Sequence, residues 1–121
     1  MASDREETER RRRELRAQLR ALGREPLMRG SLVERRRRCG RSNCACARDP
    51  GARHGGKFLT VQPDGRTHAV HVRPEDEESV GQAIAAYHQL WDVINGLTAC
   101  ELGDLRRQVR ERRRARQRRK A

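Results

Sequence analysis

Three cysteines and a histidine are the residues whose chemistry is easiest to infer. Cys39, Cys44 and Cys46 fall within eight residues, and seven more intervene before His54, giving Cys-x4-Cys-x-Cys-x7-His. Thiolate and imidazole are the donors of tetrahedral zinc sites, and a Cys3His set is a common structural one. Gly40 and Asn43 supply turn conformations between the first two cysteines. Cys44 and Cys46, read as part of an extended segment, point to the same side. The Asp49-Pro50-Gly51 turn can bring His54 back toward them, and Gly55 and Gly56 relieve crowding there. Neighbouring arginines favour thiolates. Three thiolates, a neutral imidazole and Zn²⁺ leave one net negative charge, so the ion is compatible with the run Arg35–Arg38 and Arg41 beside it.

Other readings compete. Plant-type iron–sulfur sites use Cys-x4-Cys-x2-Cys, which this spacing misses by one residue. A thiol redox switch or ordinary loop cysteines with an exposed histidine would also fit. His68 and His71 are alternative fourth ligands. Cys100 reads as a small apolar residue on a packed helix face, and His88 as a surface residue.

The composition raises the importance of the cluster. In 121 residues, 34% are hydrophobic and 2% aromatic, so the core is thin, and small chains of this kind recruit metals, disulfides or partners. The net charge is +12, with only two lysines among 29 basic residues. Residues 23–60 hold ten basic and three acidic residues, residues 101–121 hold the same numbers, and residues 61–100 hold two against six. Two basic segments thus flank an acidic one, the electrostatic footprint of a nucleic-acid binder. An arginine-rich, merely solvated surface is the plainer reading. The start of the chain has no apolar signal core, and no apolar run approaches membrane-spanning length. A cytoplasmic protein with reduced thiols is expected, so clustered cysteines point to metal or redox chemistry. There is no P-loop, GxGxxG, HExxH or paired-carboxylate site, and an enzyme is not expected.

The elements that must position the cluster are legible in part. Residues 4–22 read as a helix capped by Ser3 or Asp4, with Glu6/Arg10, Glu7/Arg11 and Glu9/Arg13 as favourably ordered pairs. Its apolar stripe of Leu15, Leu19 and Leu22 should dock on another helix, and Gly23 should stop it. Residues 29–38 read as a strand entering a loop over 39–56. Residues 57–73 alternate around Pro63-Asp64-Gly65 as a β-hairpin. From Pro74 a long amphipathic helix follows, with Val80, Ile84, Tyr87, Trp91 and Ile94 as its stripe, widened by Ala83, Leu90 and Leu97. Tyr87 and Trp91 are expected in the core. Phe58 is expected there too, with stacking on a base as the alternative. Gly96 and Gly103 are expected to bend or break the helix, and the basic segment from 110 on to be disordered or loosely helical.

RGSLVERRRRCGRSNCACA, then HGGKFLTV, a hairpin and a long helix, resembles a family of small uncharacterised bacterial proteins. They are classed as a domain of unknown function and are often met near transposases and other mobile elements. The family pattern runs G-S-L, a basic stretch, C-G-x-x-x-C-x-C, H-G-P with aromatics, and G-K-x-R in the hairpin turn. Gly30, Ser31, Leu32, Cys39, Gly40, Cys44, Cys46, His54 and Gly55 match it, and Gly65 and Arg66 do so loosely. Gly56 stands where Pro is usual, and Phe58 alone stands where several aromatics are usual. The resemblance covers about residues 29–95. It implies that the three cysteines and His54 form one site, and it implies no activity.

The expected architecture is α+β: a three-stranded antiparallel sheet with a zinc-knuckle-like loop, an N-terminal helix and one long C-terminal helix. The expected segments are a charged helix over 1–24, a core over 27–97 and a basic extension over 98–121. The expected metal ligands for Zn²⁺ are Cys39, Cys44, Cys46 and His54. The expected nucleic-acid contacts are Arg35, Arg36, Arg37, Arg38 and Arg41, joined by Arg112, Arg113, Arg114, Arg116, Arg118 and Arg119. The leading function is that of a non-enzymatic nucleic-acid-binding accessory protein, with a link to mobile-element recombination taken from the resemblance. The alternative is a protein-interaction module whose long helix docks a partner such as a recombinase or transposase, the arginines only keeping it in solution. A homodimer through the long helix is a further expected partner.

Overall fold

The computed structural model describes residues 3–120. Its elements are α1 (Asp4–Leu22), β1 (Gly30–Arg37), β2 (His54–Val61), β3 (His68–Val72) and α2 (Glu77–Lys120), with 3-10 turns at Ala45–Ala47, Pro50–Ala52 and Pro74–Asp76. The architecture is α+β, as the sequence leads one to expect. The chain divides into two compact units. One joins the residues up to Glu25 with those from His88 on, and the other is Pro26–Tyr87.

In the first unit, α1 starts where Ser3 accepts the Glu6 backbone N–H at 3.2 Å and ends at Gly23. Leu15, Val93 and Cys100 are buried together, with Leu19, Leu22 and Leu97 packed against them. The leucine stripe of α1 therefore docks on a helix, and Cys100 is the packed apolar residue expected. The docking face of α2 is not the one the sequence singles out. Trp91 is 55% exposed and Ile94 37%, while Val93 is 4% exposed. Gly96 explains the choice: a Cβ there would lie 3.0 Å and 3.1 Å from the two Leu15 methyl carbons. Close approach at a glycine draws α1 to that side, away from the indole.

The ion pairs of α1 also differ from expectation. Among the described residues, the three anticipated Glu/Arg pairs do not form. Glu9 instead meets Arg12, which also donates from Nε to Glu101 Oε1 at 3.0 Å and from a terminal nitrogen to Asp104. Arg12 is buried at the helix contact, so carboxylates converge on it to offset desolvation. The hydrogen bond to Asp104 is foremost in raising the guanidinium above its ordinary value, and burial opposes it. Asp104 is lowered in turn, first by that hydrogen bond.

α2 runs unbroken through Gly81, Gly96 and Gly103 to Lys120. The expected break is not found, and the basic segment from 110 on is helical. Residues 105–120 are nearly all Arg, Gln, Ala, Leu, Glu and Lys, strong helix formers, and the cations at the end complement the helix dipole.

In the second unit the strands lie in the order β1-β2-β3, antiparallel throughout. The hairpin turn is the expected one: Gly65 has φ +80, and Asp64 Oδ1 accepts the Arg66 backbone N–H at 3.0 Å. Register sorts the side chains onto two faces. Leu32, Leu59, Lys57 and Val72 share the face that meets the start of α2, where Lys57 Nζ bonds Glu77 Oε2 at 3.2 Å and Ala83, Leu59 and Val72 are buried. The other face carries Ser31, Val33, Arg35 and Arg37 on β1, His54, Gly56, Phe58 and Thr60 on β2, and Ala69 and His71 on β3.

Candidate metal centre

β1 and β2 pair from Gly30↔Val61 to Arg37↔His54, so His54 belongs to a strand and not to the loop the sequence indicates. The connection from Arg38 to Arg53 leaves at one end of this ladder and returns to it. Cys39 lies just beyond β1, and Gly40, with φ +88, turns the chain. The Cys44 backbone N–H reaches Arg41 O at 3.3 Å, and Ala45–Ala47 closes a 3-10 turn. Cys44 and Cys46 thus reach a common point through a turn, where the sequence suggests an extended segment. Asp49 Oδ1 accepts the Gly51 N–H at 2.9 Å and caps the second 3-10 turn, after which β2 begins.

The three sulfurs and one nitrogen of His54 all lie within 4.8 Å of one another, close enough to hold a metal ion. Cys46 Sγ is 3.5 Å from Cys39 Sγ, and Cys44 Sγ is 3.4 Å from His54 Nε2. Zn–S bonds of about 2.3 Å and Zn–N bonds of about 2.0 Å at tetrahedral angles place donors about 3.5–3.8 Å apart. A disulfide requires about 2.05 Å, and all four cysteines are free thiols. Cys46, 1% exposed, is the inner wall, while Cys39 and His54 face outward. The donor set is therefore consistent with zinc, with three ligands from the connection and His54 from the first residue of β2.

The site has local polarity of its own. The Cys44 thiol is lowered, chiefly by a hydrogen bond from the Cys46 backbone N–H and then by the Cys46 and Cys39 side chains. Cys46 accepts the Cys39 backbone N–H at 3.3 Å, which favours its thiolate. Burial and the two neighbouring sulfurs outweigh that bond and push Cys46 upward. A cation among the sulfurs would relieve this crowding of negative charge.

A sequence pattern that defines a domain of unknown function, DUF6788, matches residues 5–82. The chain belongs to that family. The DUF6788 match contains the whole Cys/His cradle and the sheet, and it ends within the first turns of α2, before the long basic segment. No curated protein and no solved structure matches the chain significantly.

The alternative ligands lie elsewhere in this DUF6788 chain. His68 Nε2 lies 2.9 Å from Asp64 Oδ1 in the hairpin turn. His71 packs edge-on against Phe58 at 5.2 Å between ring centroids. Gly56 makes room for that ring and not for the metal loop: a Cβ there would lie 2.9 Å from His71 Nε2. Phe58 is buried, as the core reading requires, yet its cover is polar. The Arg37 guanidinium carbon stands 4.7 Å from the ring centroid and that of Arg35 5.9 Å. The i,i+2 spacing of these arginines on a strand is the sequence signal that could have paired them. The partner ring was not foreseeable without the register. Arg36, Arg38 and Arg41 are exposed, and among the described residues none of Arg35, Arg36, Arg37, Arg38 and Arg41 forms an ion pair. Arg112, Arg113, Arg114, Arg116, Arg118 and Arg119 lie exposed on the last turns of α2. Among the described residues, no helix is long and apolar enough to cross a membrane.

Proposed function

We propose that this DUF6788 chain is a zinc-stabilised, non-enzymatic accessory protein that binds nucleic acid. The observation that carries the reading is the set Arg35, Arg36, Arg37, Arg38 and Arg41: five exposed guanidiniums without an internal carboxylate, at the end of the hairpin that the Cys3His cradle closes. Repulsion among them is a standing cost to the fold, and an external polyanion relieves it. Zinc held by Cys39, Cys44, Cys46 and His54 supplies folding energy and fixes the strand ends. Its four protein donors leave no open position for substrate or water, which supports a structural and not a catalytic ion. The basic end of α2 adds a second polyanion surface.

The test is metal analysis combined with a salt titration of oligonucleotide binding. About one zinc per chain is expected. The slope of log affinity against log salt should be steep, and Arg36→Ala, Arg38→Ala and Arg41→Ala should each reduce it by about 0.7–0.9 per contact removed. A salt-independent affinity, or no binding at low salt, would overturn the reading.

A second reading concerns assembly. Trp91, Ile94, Leu102 and Leu105 are all more than a third exposed and fall within one stripe about 100° wide on α2. Between Glu75 and Asp104 there are seven carboxylates and no Lys or Arg, while residues 105–120 hold ten basic residues and one acid. An antiparallel pair of α2 helices from two copies would cover the stripe and set each basic end along the other's acidic half.

A further inference from the structure

We infer that the open face of the sheet is a platform for single-stranded nucleic acid, with Arg35, Arg37 and His71 as its contacts; this rests on the nucleic-acid reading above. The register puts these three residues and Phe58 on one face. Ser31, Val33, Arg35, Arg37, His54, Ala69 and His71 on that face are all exposed, whereas the opposite face meets α2. Gly56 and Thr60 are half-buried, and Phe58 is 8% exposed beneath the groups that lie on it.

The arrangement of those groups determines the ligand. Arg35 and Arg37 do not project as isolated charges. They lie over the Phe58 ring at 5.9 Å and 4.7 Å while remaining exposed on their outer sides. A guanidinium held over an aromatic ring is pre-organised, so less side-chain freedom is lost when it meets a ligand. Its outer surface is a cationic plate that suits the π-face of a base, and its edge N–H groups suit a phosphate. His71, edge-on to Phe58, provides a third plate one strand away, and Gly56 is the residue that lets it lie there.

Residues two apart on a strand are separated by about 7 Å, so Arg35 and Arg37 can serve successive nucleotides. In a duplex the base faces are buried in the stack, and a protein reads the edges by inserting a helix or ribbon into a groove. Plates that lie along a sheet face complement base faces, which a duplex keeps within its stack. A single strand offers both the exposed base faces and the phosphates that this surface complements. The base faces and phosphates that these plates address are common to both nucleic acids, so DNA and RNA strands should bind alike.

The experiment uses the full-length, zinc-loaded protein and fluorescently labelled oligo-dT, oligo-rU and a mixed-sequence DNA duplex, each of roughly 20 nucleotides to exceed one site. The wild type should bind both single strands at least tenfold more tightly than the duplex, and within a few-fold of each other. Arg35→Ala with Arg37→Ala should weaken single-strand binding tenfold or more and duplex binding much less. Arg35→Lys with Arg37→Lys keeps the charge and loses the plates. It should preserve the salt dependence and abolish the single-strand preference. His71→Ala should lower single-strand affinity about fivefold. Zinc content and far-UV circular dichroism confirm the fold of each variant, all of which alter exposed side chains. Equal binding of duplex and single strand, or unchanged binding by the Arg35/Arg37 variants, overturns this inference and leaves the nucleic-acid reading standing on Arg36, Arg38, Arg41 and the end of α2. Failure of the wild type to bind any oligonucleotide overturns both.

Discussion

Arg37 and His54 face one another across the last pair of the β1–β2 ladder. One belongs to the basic surface and the other to the metal cradle, so the two are joined by a single rung. Removing the metal should therefore loosen the strand ends that carry the arginines. Chelation, or Cys46→Ser at the buried ligand, is expected to speed amide hydrogen exchange at residues 35–37 and 54–56 and to weaken oligonucleotide binding together with it. Exchange at the Leu15, Val93 and Cys100 contact should change little, because that core lies in the other unit. Unchanged exchange at 35–37 after complete metal loss would show that the cradle does not hold the hairpin end.

The helix contact predicts a specific response to acid. Asp104 is held below its ordinary 3.8, first by the Arg12 hydrogen bond. A depressed carboxylate gives its full stabilisation above the unfolded-state value and loses it as pH falls through the lower folded-state value. Arg12 is raised and keeps its charge throughout, so the slope belongs to the acid partner. The urea midpoint of the α1–α2 unit should fall as pH drops below about 4, and Asp104→Asn should flatten that dependence while lowering the midpoint at neutral pH. An unaltered pH profile in the variant would assign the acid sensitivity to other carboxylates.

Leu15 and Gly96 define the same contact sterically. Leu15→Ala removes a side chain that is 2% exposed, and a loss of about 2–5 kcal/mol is expected from the transfer and cavity terms. Gly96→Val adds carbon where a Cβ alone already lies 3.0 Å from Leu15, so it should destabilise despite the better helix propensity of valine. The double variant Leu15→Ala with Gly96→Val should recover part of the loss, since the new side chain can enter the vacated space. Denaturant unfolding of the four chains tests this. Strict additivity of the two changes would mean that the residues do not share a site.

Much of this architecture could be read from local signals, and the exceptions have physical reasons. The Ser3 cap, the Pro63-Asp64-Gly65 turn and the Cys/His spacing depend on neighbours in sequence, and each appears where its chemistry places it. Trp91 lies outside the core: apolar periodicity marks a stripe but not which edge of it is covered, and the choice turns on Gly96, a residue with no side chain to signal it. His54 reads as a loop residue because His-Gly-Gly lacks strand propensity, yet pairing with Arg35–Arg37 overrides it. The cover on Phe58 was hidden for a similar reason: it depends on three strands aligning, which no local window contains.

The exposed stripe of α2 gives the last prediction. Ile94, Leu102 and Leu105 stand 37%, 43% and 52% exposed beside Trp91, a large apolar surface for a helix whose partner α1 covers another side. Because seven carboxylates lie between Glu75 and Asp104 and ten cations follow Leu105, a parallel pair would set ten cations against ten, while an antiparallel pair sets them against acids. Sedimentation velocity should show a dimer at low salt that dissociates as ionic strength rises and screens those contacts. Leu105→Glu should give a monomer with unchanged helix content, since the residue is half-exposed and glutamate is a good helix former. A cysteine placed at position 94 or 105 separates the two orientations. Cross-links between unlike positions, 94 to 105, are expected from the antiparallel arrangement. Cross-links only between like positions would require the parallel one, and a monomer at every salt concentration would remove the self-association reading altogether.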